Sequence, residues 1–300
     1  MFDFEFSLER IIEDCPDYNY ICNMFLELVR DDQMKVKMKE ILYNGKYKDF
    51  DVNSNFVNNK NSFLIARRRI SLAYLLLRNP DTFDILVEKK VILFHGTNSN
   101  ALPTILKYGL RSGYELEKAG INVTTGEEWS RIGGKQRDFI SFTDVLDISM
   151  DYSMMKPSKV DDDLSFEVVI GTSVDDVKRL GGRNIPSDIP EVGIKKGLPL
   201  ESIKIIGVPS DKVQFVKSLV NGDSVEVVAI DGIRDRFFYF DVDAEMIYID
   251  DFKFNKLKEN LNSSNLVKFF KLEEIRTLMV ERLLKLREKF KGGVSNGRKH

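Results

Sequence analysis

The sequence predicts an α+β fold in which a β-rich middle is flanked by helical segments. Apolar residues before position 88 repeat at the three- and four-residue spacing of helices. From position 91 the pattern changes to short apolar runs separated by glycines, which is typical of strands. After position 250 helical spacing returns. We therefore divide the chain into a helical N-terminal region, a β-rich domain and a C-terminal helical segment: 1–88, 89–250 and 251–300.

The N-terminal region predicts several helices and one loop. Apolar residues at helical spacing run through 8–29, and the asparagine-rich stretch 53–61 predicts a loop. Residues 63–77 predict a strongly apolar helix that is interrupted by Arg67, Arg68 and Arg69. Such a triplet is typical of a solvated helix face, and a contact with phosphate is the alternative.

In the β-rich domain, one strand begins at Val91 and five more are predicted at 139–142, 164–170, 203–208, 225–230 and 237–242. The helices predicted there cover 147–155 and 212–220. Residues 181–197 are rich in glycine, proline and aspartate and predict a long loop, of the kind that serves as a lid or recognition surface. In the last segment, an apolar stripe between 272 and 290 predicts a packing helix.

Composition narrows the class of protein. The 300 residues carry 45 lysines and arginines against 47 acidic residues, so no basic field predicts nonspecific nucleic-acid binding, although a local patch stays possible. Cys15 and Cys22 favour two buried free thiols over a disulfide or a metal pair. No apolar run is long enough to span a membrane, and the acidic start differs from a secretory signal. We expect a cytoplasmic protein, or one exported by a signal-less route.

His95 is the only histidine before the final residue. It ends an apolar run that begins at Val91 and is followed by Gly96 and Thr97. A histidine in this place is either a satisfied core residue beside a tight turn or a ligand-binding group. A short helical pattern follows and ends in Gly109-Leu110-Arg111. This order of strand, His-Gly-Thr, helix and Gly-Leu-Arg favours the second reading.

Two further segments place polar residues on predicted strands. Residues 139–144 read Phe-Ile-Ser-Phe-Thr-Asp and are followed by Ser149 and Tyr152, and Glu201 stands at the mouth of the strand 203–208. Between them, 166–171 read Phe-Glu-Val-Val-Ile-Gly. In order and spacing these motifs resemble the ADP-ribosyltransferase superfamily. The closest branch is the His-Tyr-Glu branch, which includes poly-ADP-ribose polymerases and diphtheria-type toxins, and the resemblance spans about residues 91–208.

The resemblance implies a split β-sandwich core and NAD as a substrate. It implies a mono-ADP-ribosyltransferase that cleaves NAD and transfers ADP-ribose to a protein or nucleic acid, as bacterial or phage toxins, effectors and defence enzymes do. No metal is implied, and 183–196 would recognise the acceptor. By the same resemblance, Glu201, His95 and Tyr152 would be catalytic, and the NAD-binding residues would be Gly96, Thr97, Arg111, Ser141 and Ser149.

The chain departs from the family pattern at Ser141, where the family has a tyrosine that stacks on nicotinamide. A serine there is similar to the Arg-Ser-Glu branch, but that branch starts from arginine rather than His95. Two alternatives stay open. An NAD-dependent RNA 2′-phosphotransferase shares the fold, although Glu201 and the near-neutral charge argue against it. A non-catalytic binding module is the other alternative, which the loss of the tyrosine keeps open.

Overall fold

The structure is a computed structural model of an α+β chain with several small sheets. It describes residues 8–52, 61–120, 138–155, 165–185, 191–195, 197–220, 225–231, 236–241 and 244–262. The chain divides into two compact units. The first comprises Met1–Ile233 and Phe238–Tyr248, so it crosses the predicted boundary after residue 88. The second comprises Arg234–Phe237 and Ile249–His300.

The α-helices in chain order are α1 Leu8–Asp14, α2 Asp17–Leu28, α3 Asp32–Lys39, α4 Ser62–Arg78, α5 Pro80–Glu88, α6 Leu102–Tyr108, α7 Gly113–Lys118, α8 Leu146–Met155, α9 Val174–Arg179, α10 Val213–Leu219 and α11 Asp251–Asn262. The strands are β1 Lys46–Tyr47, β2 Phe50–Asp51, β3 Val91–Asn98, β4 Ile140–Phe142, β5 Glu167–Ser173, β6 Arg183–Ile185, β7 Glu191–Ile194, β8 Ile205–Val208, β9 Glu226–Ala229, β10 Phe238–Asp241 and β11 Met246–Ile249. The helices and strands that were predicted within the described residues appear with shifts of a few residues at the ends. β1 and β2 interrupt the region that was predicted to be helical, and α7, α9 and β11 are additional elements.

Helix α4 is the central helix of the first unit. The side chain of Asn61 caps its first turn by accepting from the backbone amides of Phe63 and Leu64. Every residue from Ser62 to Leu77 is buried. A helix that is buried all round belongs to a core rather than to a surface.

The arginine triplet of α4 is buried, so the prediction of a solvated face is wrong. Arg68 donates to the Val52 carbonyl at 3.0 Å and pairs with Asp144, while Arg69 donates to the carbonyls of Leu42 and Tyr43. Guanidinium groups tolerate burial when carboxylates and carbonyls accept hydrogen bonds from them. These protein groups accept the hydrogen bonds that water would accept on a solvated face, or phosphate in the alternative.

Of the four sheets in the described residues, the two with more than two strands carry His95 and Ser141. The larger has the order β3-β5-β8-β9, with β5 antiparallel to both neighbours and β8 parallel to β9. The smaller has the order β4-β7-β6 and is antiparallel. An isolated bridge between Phe94 and Thr143 joins β3 to the chain just after β4, so the two sheets meet one residue before His95.

The stretch 181–197 contains β6 and β7, so the prediction of a long loop there is wrong in part. Val192 and Ile194 are buried on β7 and pair with Phe142 and Ile140 of β4. Pairing with β4 and the burial of Val192 and Ile194 explain why this segment forms a strand although glycines and prolines surround it.

In the second unit, the Phe237 ring lies 5.1 Å from that of Phe254 on α11. The predicted apolar stripe at 272–290 lies outside the described residues. The predicted free thiols are confirmed, since Cys15 and Cys22 are both buried and unbridged. Among the helices that the structure describes, none has the length and apolar character needed to cross a bilayer.

Candidate functional site

His95 lies on β3 where the two sheets meet, and it is half-buried rather than enclosed in the core. Its Nδ1 lies 2.8 Å from the backbone carbonyl oxygen of Ser141, and its ring lies 5.9 Å from that of Phe142. Because a carbonyl only accepts, Nδ1 carries the proton in this contact. In the neutral ring Nε2 is then a hydrogen-bond acceptor, which suits a hydroxyl donor such as that of a sugar.

Gly96 allows β3 to approach helix α8 closely. A Cβ placed on Gly96 would lie 1.7 Å from the carbonyl oxygen of Ser149 and 2.8 Å from the amide nitrogen of Ser153. No other residue type fits such a gap without displacing the helix. The Ser149 hydroxyl donates to the Leu146 carbonyl at 2.7 Å, and Thr97 is buried on the same strand. The first and second motifs of the sequence are therefore in direct contact.

A second cluster lies where β4, β7 and α8 meet. Ser141 pairs with Gly193, and Glu191 lies two residues from Gly193, so Ser141 and Glu191 share a face of the small sheet. The Tyr152 hydroxyl of α8 lies near the Glu191 carboxyl, where it favours the ionised form. The buried Ser141 hydroxyl approaches the same carboxyl, although it makes no hydrogen bond of standard geometry within the described residues.

The environment of Glu191 differs from that of a surface glutamate. Burial raises the pKa of Glu191, and the hydroxyls of Ser141 and Tyr152 partly offset this rise because they stabilise the carboxylate. Burial also raises the pKa of Tyr152, and the neighbouring carboxylate adds to that rise. A half-buried carboxyl whose pKa is shifted by burial and by neighbouring hydroxyls is a candidate for a functional site.

Sequence reasoning missed Glu191 because it lies inside the segment expected to be a loop. One signal was present. Glu191 begins a short run in which Val192 and Ile194 are apolar at every second position. This alternation indicates a strand whose first residue carries a carboxyl. It was hidden by the prolines at 186 and 190.

Glu201 lies elsewhere. It belongs to a 3₁₀ turn, Leu200–Ser202, and its side chain is exposed. The Ser202 carbonyl accepts from Thr172, and Thr172 pairs with Leu93, two residues before His95. Strand β5 lies between β3 and β8, so two strand spacings of about 4.8 Å separate them. The turn that carries Glu201 therefore lies two strands away from His95 along the large sheet, and the catalytic role of Glu201 stays a prediction.

The Gly-Leu-Arg motif packs against the segment that precedes Glu201. Leu110 and Leu198 exchange two backbone hydrogen bonds of 2.8 Å. Gly109 adopts a φ of +73°, and a Cβ added to it would lie 2.4 Å from the Leu198 carbonyl oxygen. The Arg111 Nε donates to the Tyr108 carbonyl at 2.9 Å, and its Nη1 lies 3.9 Å from Glu115. These contacts hold Arg111 at the end of α6.

Next to Arg111 the structure has a cleft of about 590 Å³, large enough for part of a dinucleotide. It is lined by Ser112, Tyr114, Glu115, Lys118, Ala119, Asp138 and Lys195. Tyr114 is 54% exposed there, which leaves its ring available for stacking.

Three or more side chains suited to hold a metal ion do not cluster anywhere in the part of the chain that the structure describes. No protein-family model matches the chain, and a search of curated proteins finds no match either.

Proposed function

We propose that the protein is an NAD-dependent ADP-ribosyltransferase that cleaves the nicotinamide–ribose bond and transfers ADP-ribose to a macromolecular acceptor. The observation that carries this proposal is the meeting of two clusters at β4. His95 is bonded to the backbone of Ser141, while the hydroxyl of Ser141 and that of Tyr152 lie at Glu191. The proposal includes an ADP-ribosyltransferase-like split sandwich made of the two sheets.

The chemistry requires a carboxylate near the ribose. Cleavage passes through an oxocarbenium-like state, whose positive charge a nearby carboxylate stabilises. Glu191 suits this role better than Glu201 because it is half-buried and held by hydroxyls, whereas Glu201 is exposed. A charge is also more effective where water is partly excluded. Glu191 would orient or deprotonate the acceptor hydroxyl or amine as the bond to ribose forms.

The remaining residues would bind NAD around that carboxylate. The acceptor Nε2 of His95 would take a hydrogen bond from a ribose hydroxyl. The backbone of Gly96 would approach the carboxamide, and the ring of Tyr152 would stack on nicotinamide. Ser149 would contribute by packing against Gly96, because its hydroxyl donates to the Leu146 carbonyl within α8. Arg111 precedes Ser112, which lines the cleft, and it would meet the adenosine or pyrophosphate of NAD.

The acceptor side of the proposed site is the β6–β7 edge. Here Phe139 lies between two cations, with the Arg183 guanidinium 4.9 Å and the Lys195 ammonium 5.2 Å from its ring centre. β6 is the edge strand of its sheet, and its first two residues are exposed. An exposed edge with cations suits a macromolecular acceptor. Protein and nucleic acid both fit that description.

The direct test is incubation of the purified protein with NAD labelled in the adenosine part, together with cell extract. We expect nicotinamide release and label in a macromolecular fraction. Protease and nuclease treatment then identify the acceptor class. Nicotinamide release that depends on a 2′-phosphorylated RNA would support the phosphotransferase alternative. Binding of NAD or ADP-ribose without release would support a non-catalytic module and refute the proposal.

A further inference from the structure

Helix α8, which carries Tyr152, is held on two opposite faces. One face bears Ser149 and Ser153, which pack on Gly96 of β3. Residues two positions apart on a helix point about 200° apart. Asp147 and Asp151 therefore lie on the other face, where they meet helix α4 of the N-terminal region.

On that second face, Arg67 of α4 bridges two turns of α8. The Nε of Arg67 lies 2.7 Å from Asp147 Oδ2, and its Nη2 lies 3.1 Å from Asp151 Oδ2. The guanidinium also lies 5.0 Å from the ring centre of Phe240. The side chain of Arg67 is 7% exposed and that of Asp147 is fully buried.

A buried ion pair of this kind contributes little net stability, because desolvation of the charges offsets their attraction. Its geometric effect is larger. A planar guanidinium that bonds carboxylates on two successive turns fixes both the rotation of the helix and its position along the axis. Buried polar groups are best attested in such a registering role.

Tyr152 follows Asp151 directly, so the rotation of α8 decides whether the Tyr152 hydroxyl reaches Glu191. We propose that Arg67 is a positioning residue for the Tyr152–Glu191 pair, and that the N-terminal helical region is thereby a working part of the site. Its consequence for turnover rests on the proposed function. The positioning itself does not, because it concerns two residues of the unliganded protein.

The test is a carbon-13 titration of the Glu191 carboxyl by nuclear magnetic resonance, with the signal identified from Glu191→Gln. The variant is Arg67→Lys, which keeps the positive charge but lacks the planar fork of donors that spans both carboxylates. If α8 loosens, Tyr152 moves relative to Glu191, which changes both the burial of the carboxyl and the stabilisation of its charge by the hydroxyl. We expect the titration of Glu191 to shift away from that of the parent protein.

Arg69→Lys is the matched control, because Arg69 is equally buried on the same helix but donates to the carbonyls of Leu42 and Tyr43. It should leave the titration of Glu191 in place. Asp151→Glu is a second variant in case Arg67→Lys does not fold, because Asp151 is 27% exposed and tolerates a longer side chain. It should move the titration in the same direction as Arg67→Lys.

A Glu191 titration that is the same in Arg67→Lys, Arg69→Lys and the parent protein would overturn the positioning role. In an active protein we also expect kcat to fall about tenfold in Arg67→Lys with a smaller change in KM, because misplaced groups slow the step more than they weaken binding. An inactive parent protein would refute the proposed function. The titration would still decide the role of Arg67.

Discussion

Glu191 and Glu201 are ten residues apart, yet the fold places them in opposite environments. Glu191 begins a strand of the small sheet and lies against the hydroxyls of Tyr152 and Ser141. Glu201 lies on an exposed turn before β8, in a segment whose contacts are structural. The turn is anchored through backbone groups, such as the Ser202 carbonyl that accepts from Thr172.

The difference shows that position relative to a strand does not by itself decide how much solvent a carboxylate keeps. Both glutamates precede or begin a short apolar strand. Glu191 is half-buried near the hydroxyls of Tyr152 and Ser141, whereas Glu201 is exposed. Partial desolvation changes the pKa and strengthens the interaction with a developing charge. The four predictions below test this comparison, from the largest expected effect to the smallest.

The largest effect should come from removing the charge of each glutamate in turn. Glu191→Gln should lower the rate of nicotinamide release by about 10²–10³-fold, since it removes the electrostatic stabilisation of an oxocarbenium-like state. Glu201→Gln, an exposed substitution of the same shape, should change the rate by less than about threefold. The measurement is nicotinamide release from NAD at saturating substrate. The reverse order of the two variants would restore Glu201 as the catalytic carboxylate.

The second largest effect is a loss of stability at the contact between β3 and α8. Gly96→Ala should destabilise the protein by about 1–3 kcal/mol or more, because the added methyl group meets the backbone of Ser149. Gly207→Ala is the control in the same row of the sheet, where the added methyl meets side-chain atoms of Ile230, the nearest at 2.8 Å, rather than backbone. Thermal unfolding of both variants gives the comparison. Equal stability losses would mean that the helix contact is not specially tight.

Tyr152→Phe separates the ring from its hydroxyl. The ring and its stacking surface stay, while the Glu191 carboxylate loses one donor, a loss of about 1 kcal/mol that corresponds to about fivefold in rate. The pKa of Glu191 should rise, so the acid limb of the pH–rate profile should move to higher pH. An unchanged profile would falsify the hydrogen bond as a functional contact.

The smallest effect concerns stability and its pH dependence. Because burial raises the pKa of Glu191 in the folded state, folding favours its protonated form. The stabilisation from protonated Glu191 is complete below the pKa of the unfolded chain, and it is lost as pH rises through the raised folded value. Glu191→Gln should therefore be more stable than the parent at pH 7, with the gain disappearing below the ordinary glutamate pKa. Urea unfolding at pH 7 and pH 4 measures this, with Glu201→Gln expected to show no such gain.

Several features of the molecule follow from the sequence alone. The run ending at His95 predicts β3 because apolar residues precede a polar residue and a glycine, and the strand is Val91–Asn98. The strand predicted at 225–230 appears as Glu226–Ala229, and the helix at 147–155 as Leu146–Met155. Local periodicity is sufficient in these places because each segment has one strongly apolar face or run.

Other features were decided only by tertiary structure. Arg67 and Arg68 of α4 are buried against aspartates 76 to 84 residues further along the chain, and Arg69 against carbonyls 26 and 27 residues before it, pairings that no local pattern contains. Strand β7 forms because it pairs with β4, although glycines and prolines surround it in the sequence. The same pairing brings Glu191 to Ser141 and Tyr152. Sequence could name carboxylates near strands, but which one is desolvated depends on which surfaces pack together, and that is a property of the whole chain.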